Sequence, residues 1–328
     1  MDVYRLFKLM SDRSSHNKRI AKNTLFLYLR MGLVLVVSLF STRVVLQALD
    51  IEDYGINNVV SGFVTMFAFL NTSMSNGVQR FYNFSLGRKN GYSIKDVYNT
   101  ALQIQAILAV TLLVPLETFG MWYIHTQMVI PIDRFAAAQW VFQFSVLSLV
   151  LLVLQIPYSA AIMAYEKMDY YAYLSIFDVL AKLGIAYIIK YTTFDKLILY
   201  GALNMLVSLI CFFLYYGYAK SHFQDLKSDF IIRKQLFKPM LYFSGWNGFG
   251  SFAYMIKSQG LNMLLNVFFG PVVNAARGVS NMAMSAIQGF QSNIVIAFRP
   301  QLIQSYATGD NERVLKLFYN LSKVSFIL

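Results

Sequence analysis

Apolar residues run along this chain in long unbroken blocks, separated by short polar or basic segments. Eight blocks are each long enough to cross a bilayer as a helix, which needs about 20 residues. They fall at 25–47, 54–76, 97–116, 138–163, 171–190, 195–219, 244–265 and 273–298, and a ninth begins near Leu317. The blocks are continuous rather than alternating, so the pattern predicts an all-α integral membrane bundle and not a barrel. The first apolar block is too long for the core of a cleaved signal peptide, and 24 polar and basic residues precede it.

Two places in the pattern look alike. Ser75-Asn76-Gly77-Val78-Gln79-Arg80 and Gly87-Arg88-Lys89-Asn90 close the second block. Ile296-Ala297-Phe298-Arg299-Pro300 and Gly309-Asp310-Asn311 close the eighth, about 220 residues later. The pattern predicts a two-lobe transporter of repeated six-helix units with its path between the lobes. The expected layout is a basic N-terminus at 1–24, a first lobe at 25–219, a linker at 220–243 and the start of a second lobe at 244–328. Two whole units need roughly 440 residues, so the second lobe is expected to be cut short.

Composition agrees with a membrane class. The chain is 57% hydrophobic and only 13% charged, about half the charged share of soluble domains. Its one cysteine, Cys211, excludes an internal disulfide. The net charge of +12 does not point to nucleic acid, because Lys and Arg sort by alternate loops. Arg80, Arg88, Lys89 and Lys95 lie in one inner loop; Lys220, Lys227, Arg233, Lys234 and Lys238 lie in another. The opposite loops hold only Arg134, Lys190 and Lys196, and the first of them is acidic, with Asp50, Glu52 and Asp53. This asymmetry predicts a cytoplasmic N-terminus.

Charges inside the blocks carry the chemistry, since each costs at least about 2.5–3.5 kcal/mol at the bilayer centre unless it is paired or wet. Lys257 lies mid-block and is the first candidate for a cavity cation. Arg30, Arg43 and Arg277 lie nearer block ends, where lining a cavity and snorkelling to headgroups are both open. Asp178 and Lys182 stand one turn apart, as a structural ion pair or a coupling site for protons or cations. Lys323 belongs to the incomplete ninth block. The second block adds Asn57, Asn58, Ser61 and Asn71, and the eighth adds Asn281, Gln288 and Asn293, as helix contacts or as lining of a hydrophilic lumen. Arg80 and Arg299 hold matching positions at inner block ends, for substrate access and gating or for anchoring. The net basic interior favours an anionic substrate. Gly245, Gly248, Gly250 and Gly260 make the seventh block bendable.

The segment Gly77-Val78-Gln79-Arg80-Phe81-Tyr82-Asn83-Phe84-Ser85-Leu86-Gly87 resembles the second-helix signature of bacterial polysaccharide flippases. Tyr165-Glu166-Lys167-Met168, Gly270-Pro271-Val272-Val273-Asn274-Ala275-Ala276-Arg277-Gly278 and Arg299-Pro300-Gln301 are similar to further blocks of the same proteins. These are the O-antigen and capsule flippases of the multidrug/oligosaccharidyl-lipid/polysaccharide exporter superfamily. The resemblance implies two helical lobes in a V. It also implies movement of an undecaprenyl-diphosphate-linked oligosaccharide across the cytoplasmic (inner) membrane for lipopolysaccharide or capsule assembly. The implied partners are the lipid-linked oligosaccharide, membrane lipids and the polysaccharide polymerase machinery. No cofactor, metal or nucleic acid is implied. A cation-coupled multidrug exporter of the same superfamily is one rival. A membrane polymerase or glycosyltransferase is another, but the chain offers no metal-ligand cluster, nucleophile elbow or phosphate loop. His16, His125 and His222 all lie outside the blocks.

Overall fold

The computed structural model describes residues 3–87, 92–126, 128, 130–226 and 233–327. Among these residues every regular element is helical. In chain order they are α1 (Val3–Thr65), α2 (Ala68–Gly87), α3 (Ile94–Pro115), α4 (Met121–Thr126), α5 (Phe135–Ala164), α6 (Met168–Tyr191), α7 (Lys196–His222), α8 (Lys234–Thr308) and α9 (Asn311–Ile327). A π-turn at Leu116–Gly120 joins α3 to α4, and a 3-10 turn at Ile132–Arg134 leads into α5.

Local chemistry sets most helix ends. Ser93 and Asp96 form a capping box at the start of α3, each satisfying a backbone donor that the helix leaves open. Asp195 accepts from the Leu197 and Ile198 amides and starts α7. Gly309, at φ 78, ends α8 in the left-handed conformation that glycine adopts without strain. The Asp310 amide then returns to the Ser305 carbonyl at 3.1 Å.

Two differences from the expected blocks are informative. The second block is not one helix. Its first half continues α1 across a break at Asp50, whose φ of 63° and ψ of 169° are costly for a residue with a Cβ. Its second half is α2, reached through a turn at Met66 and Phe67. The seventh and eighth blocks, by contrast, form one helical run of 75 residues in α8, with no loop between 265 and 273. Among the described residues, five helical segments are long and apolar enough to cross a membrane: Lys22–Asp50, Ile94–Thr126, Ile132–Ala164, Met168–Tyr191 and Lys196–His222. The polar residues of α2 and of the late blocks dilute their hydropathy below that level.

α5 is mostly apolar, as suits a helix with neighbours on several sides. It packs against α1, α2, α3, α6 and α7. Phe142, Val146, Val153 and Ile156 are buried along it. One apolar core joins α1, α3, α5, α6 and α7 through Val60, Leu112, Phe142, Ile189 and Leu197. A second lies toward the basic end, around Tyr82, Tyr98, Ile162, Leu226 and Leu236. There the linker is fastened on both sides. Phe223 stacks on Tyr165 at 4.2 Å, and the Lys220 amine donates to the Leu226 carbonyl at 2.8 Å. Farther on, Arg233 pairs with Asp96. Burial, with the nearby Asp225 carboxylate, pushes the Tyr165 phenol up to about 12, so it stays neutral.

Candidate functional site

A cavity of about 650 Å³ opens between α1, α5, α6 and α7. Its walls are rich in small polar groups, among them Asn57, Ser61, Ser148, Gln155 and Asn204. Three charged residues line it: Arg30, Asp178 and Lys182. The Lys182 amine donates to Asp178 Oδ2 at 2.8 Å, one turn along α6. Both side chains are partly exposed, at 44% and 31%, so they keep contact with the cavity rather than being sealed in the core. The Arg30 guanidinium lies 4.8 Å from the centre of the Tyr171 ring, a favourable cation–π distance. Its Nε is buried and has no hydrogen-bond partner among the described residues. The lining therefore carries two cations and one anion.

The cavity lies inside the first six-helix unit. The expected lumen between the lobes would be lined by the seventh and eighth blocks, most of whose side chains between 255 and 287 lie outside those described. The direction of the polar faces builds the cavity that is seen. Asn57 and Ser61 of α1 turn toward α5, α6 and α7 and meet Ser145, Ser148 and Asn204 there.

The other candidate residues are placed elsewhere. Arg43 is on an exposed stretch of α1, and Lys257 is exposed on α8. Neither lines the cavity. Arg277 lies outside the residues whose side chains are described. Arg80 is exposed and sits over the Phe243 ring at 4.2 Å. Arg299 crosses from α8 to α2, where it donates to Asn76 Oδ1 and, at 3.4 Å, to Gln79 Oε1.

Arg299 belongs to a seam in which the two look-alike segments face each other. Ser73 donates to the Ser244 carbonyl at 2.6 Å. Gln304 donates to the Ala164 carbonyl at 3.1 Å and Asn83 Oδ1 at 3.4 Å. Gln301 donates to Glu166 at 3.2 Å. The backbones approach closely because glycines stand at the contacts. A Cβ at Gly77 would collide with the Ser244 side chain, and one at Gly87 would lie 2.7 Å from the Gln304 carbonyl oxygen. Similar sequence at the two block ends was visible in the chain; that the two ends touch was not.

A second polar cluster, missed by sequence reasoning, closes the opposite end of the first unit. Arg134 pairs with Asp53 and, at 2.7 Å, with Asp195. It thereby ties the start of the second block to the N-cap of α7. Its members come from α1, the 3-10 turn before α5 and the N-cap of α7, and no spacing rule links positions 53, 134 and 195.

No protein-family model matches the chain, and no curated protein matches it either. Solved structures do. One is a multidrug-resistance MATE family transporter of the MOP superfamily in an outward-facing conformation, with a TM-score of 0.77 and 12% identity, covering 95% of this chain and 70% of that one. Another is a MATE protein in complex with MaD5, at TM-score 0.75 and 14% identity over 95% of this chain and 71% of that one. A third is a MOP superfamily transporter from Pyrococcus furiosus described as having a binding pocket of reverse polarity, at TM-score 0.71 and 12% identity, covering 94% and 70%. The chain has the MATE transporter fold. It is an all-α, multi-pass membrane protein that spans about 70% of the length of these MATE structures.

Proposed function

We propose that the protein is a membrane transporter for an anionic, lipid-linked oligosaccharide, moving it from the inner to the outer leaflet of a bacterial cytoplasmic membrane by alternating access. The observation that carries this reading is the cavity lining, in which Arg30 and Lys182 face a single carboxylate, Asp178, among hydroxyl and amide groups. Desolvated cations attract a diphosphate, and the Ser, Asn and Gln side chains hydrogen-bond to sugar hydroxyls. In this reading Arg43, Lys257 and Arg277 serve the headgroup along the rest of its path, and Arg80 and Arg299 gate the basic end. The polysaccharide polymerase machinery takes up the product.

A second reading has one observation in its favour. Asp178 is a carboxylate in a transporter cavity, as an exporter of organic cations coupled to protons or sodium needs. Expression in a bacterium lacking its polysaccharide flippase separates the two. Restored surface polysaccharide supports the flippase reading. Restored drug tolerance in an exporter-deficient strain, without polysaccharide, overturns it in favour of the exporter.

A further inference from the structure

The seam between α2 and α8 holds more donors than acceptors. Arg299 reaches α2 through Nη1 alone, donating to Asn76 Oδ1 and Gln79 Oε1. Among the described residues its Nε and Nη2 have no partner, and no carboxylate pairs with its charge. On α2, Gln79 Nε2 and Asn83 Nδ2 are buried and likewise have no partner among the described residues. These two side chains are only 2% and 0% exposed. They stand one turn apart on the face of α2 that meets α8, because each amide oxygen accepts from that helix: Gln79 from Arg299, Asn83 from Gln304. Turning either amide over brings no relief, since its NH2 would then face another donor. Glu166, a carboxylate at the same contact, is engaged by Gln301 at 3.2 Å. Buried donors are costly to leave open. A guanidinium edge beside amide N–H groups is a donor set that suits an anion. Gly77 and Gly87 bring the two backbones close here, so the occupant is small.

We infer that this seam is a site for a small inorganic anion, bound between the Arg299 guanidinium and the NH2 groups of Gln79 and Asn83, and that the ion fastens α2 to α8. The site is distinct from the cavity of Arg30 and Lys182, which none of these three residues lines. The inference goes beyond the transport reading and needs no substrate. It makes the hold of the seam depend on the anion concentration around the protein.

The test is thermal melting of the purified full chain over a roughly hundredfold range of sodium chloride, with sodium gluconate holding the ionic strength constant. The melting temperature is expected to rise by roughly 2–4 degrees across that range. Gln79→Glu keeps the oxygen that Arg299 uses and puts a second oxygen in place of the unpartnered NH2. It should melt higher than the wild type at the lowest chloride and lose the chloride response, because the new carboxylate stands in for the anion. Arg299→Lys keeps the charge but not the planar fork and should also lose the response. Arg30→Met should keep it. A wild-type chain that melts at one temperature throughout overturns the inference and leaves the transport reading untouched; water oxygens would then meet the donors. A Gln79→Glu protein that folds, by its helical circular dichroism and a single chromatographic peak, yet keeps the wild-type response overturns it as well. Loss of the response in Arg30→Met would move the anion to the cavity, against the seam site and in favour of the transport reading. Phosphate in place of chloride sets the class: a matching rise assigns the site to oxyanions as well as halides, and no rise assigns it to a halide-sized ion.

Discussion

Ser73 on α2 donates its hydroxyl to the carbonyl of Ser244 on α8, 2.6 Å away and 171 residues later in the chain. The bond joins the helix that carries the first look-alike segment to the helix that carries the second. A Cβ placed at Gly248, one turn farther along α8, would lie 3.9 Å from the Ser73 Cβ. That separation is within the usual range for a disulfide. The Ser73→Cys/Gly248→Cys double variant is expected to cross-link under mild oxidation, seen as the loss of two free thiols by mass. Cys211 is the only native thiol, and it is buried. Two thiols that stay free under oxidant would mean that α2 and α8 do not meet here.

Arg299 holds the same seam with a charge but without a carboxylate, its acceptors being the amide oxygens of Asn76 and Gln79. Hydrogen bonds to a charged group contribute about 1.5–3 kcal/mol. Arg299→Ala should therefore shift the seam toward open by roughly 10- to 100-fold. A cysteine at Asn83, which is fully buried, reports the change. Its maleimide labelling should accelerate at least about tenfold in the Arg299→Ala background, whereas an unchanged rate would show that the arginine does not hold the seam.

Arg30 and Arg43 lie on one helix, yet only Arg30 lines the cavity. Arg30→Met should lower transport about tenfold or more, the loss expected for one charge-assisted contact to an anionic headgroup. Arg43→Met should leave transport within about twofold, with both variants present in the membrane at wild-type levels. Equal losses would argue against the cavity as the transport site.

The Arg134 clasp joins Asp53 and Asp195, all three side chains being less than a third exposed. Arg134→Gln leaves two carboxylates facing each other and removes charge-assisted bonds. A loss of about 1–3 kcal/mol is expected, read as a drop of a few degrees in the melting temperature of the purified protein, and high salt should narrow the difference. An unchanged melting temperature would mean that the clasp contributes nothing to stability.

Much of the architecture was legible because apolar runs and polar caps are local signals. The expected blocks at 138–163, 171–190 and 195–219 match α5, α6 and α7 to within about three residues, the usual error of helix ends. The division of the second block between α1 and α2 was not legible, since its polar residues read equally as one hydrophilic span. The Asp178–Lys182 pair was visible as a helical spacing. Arg30 was visible as a misplaced charge, but its aromatic partner Tyr171 depends on how α1 crosses α6. The location of the cavity inside one unit depends on helix rotation, which composition does not encode.

The linker between α7 and α8 is fastened at one side by Lys220 and Phe223 and at the other by Arg233 on Asp96. Lys234 opens α8 directly after the second of these anchors, and Gly245, Gly248 and Gly250 follow along the same helix. If the later helices swing against the first six, as the proposed alternating access requires, the bend is expected in α8 near these glycines. Hinge and helix would then be one element.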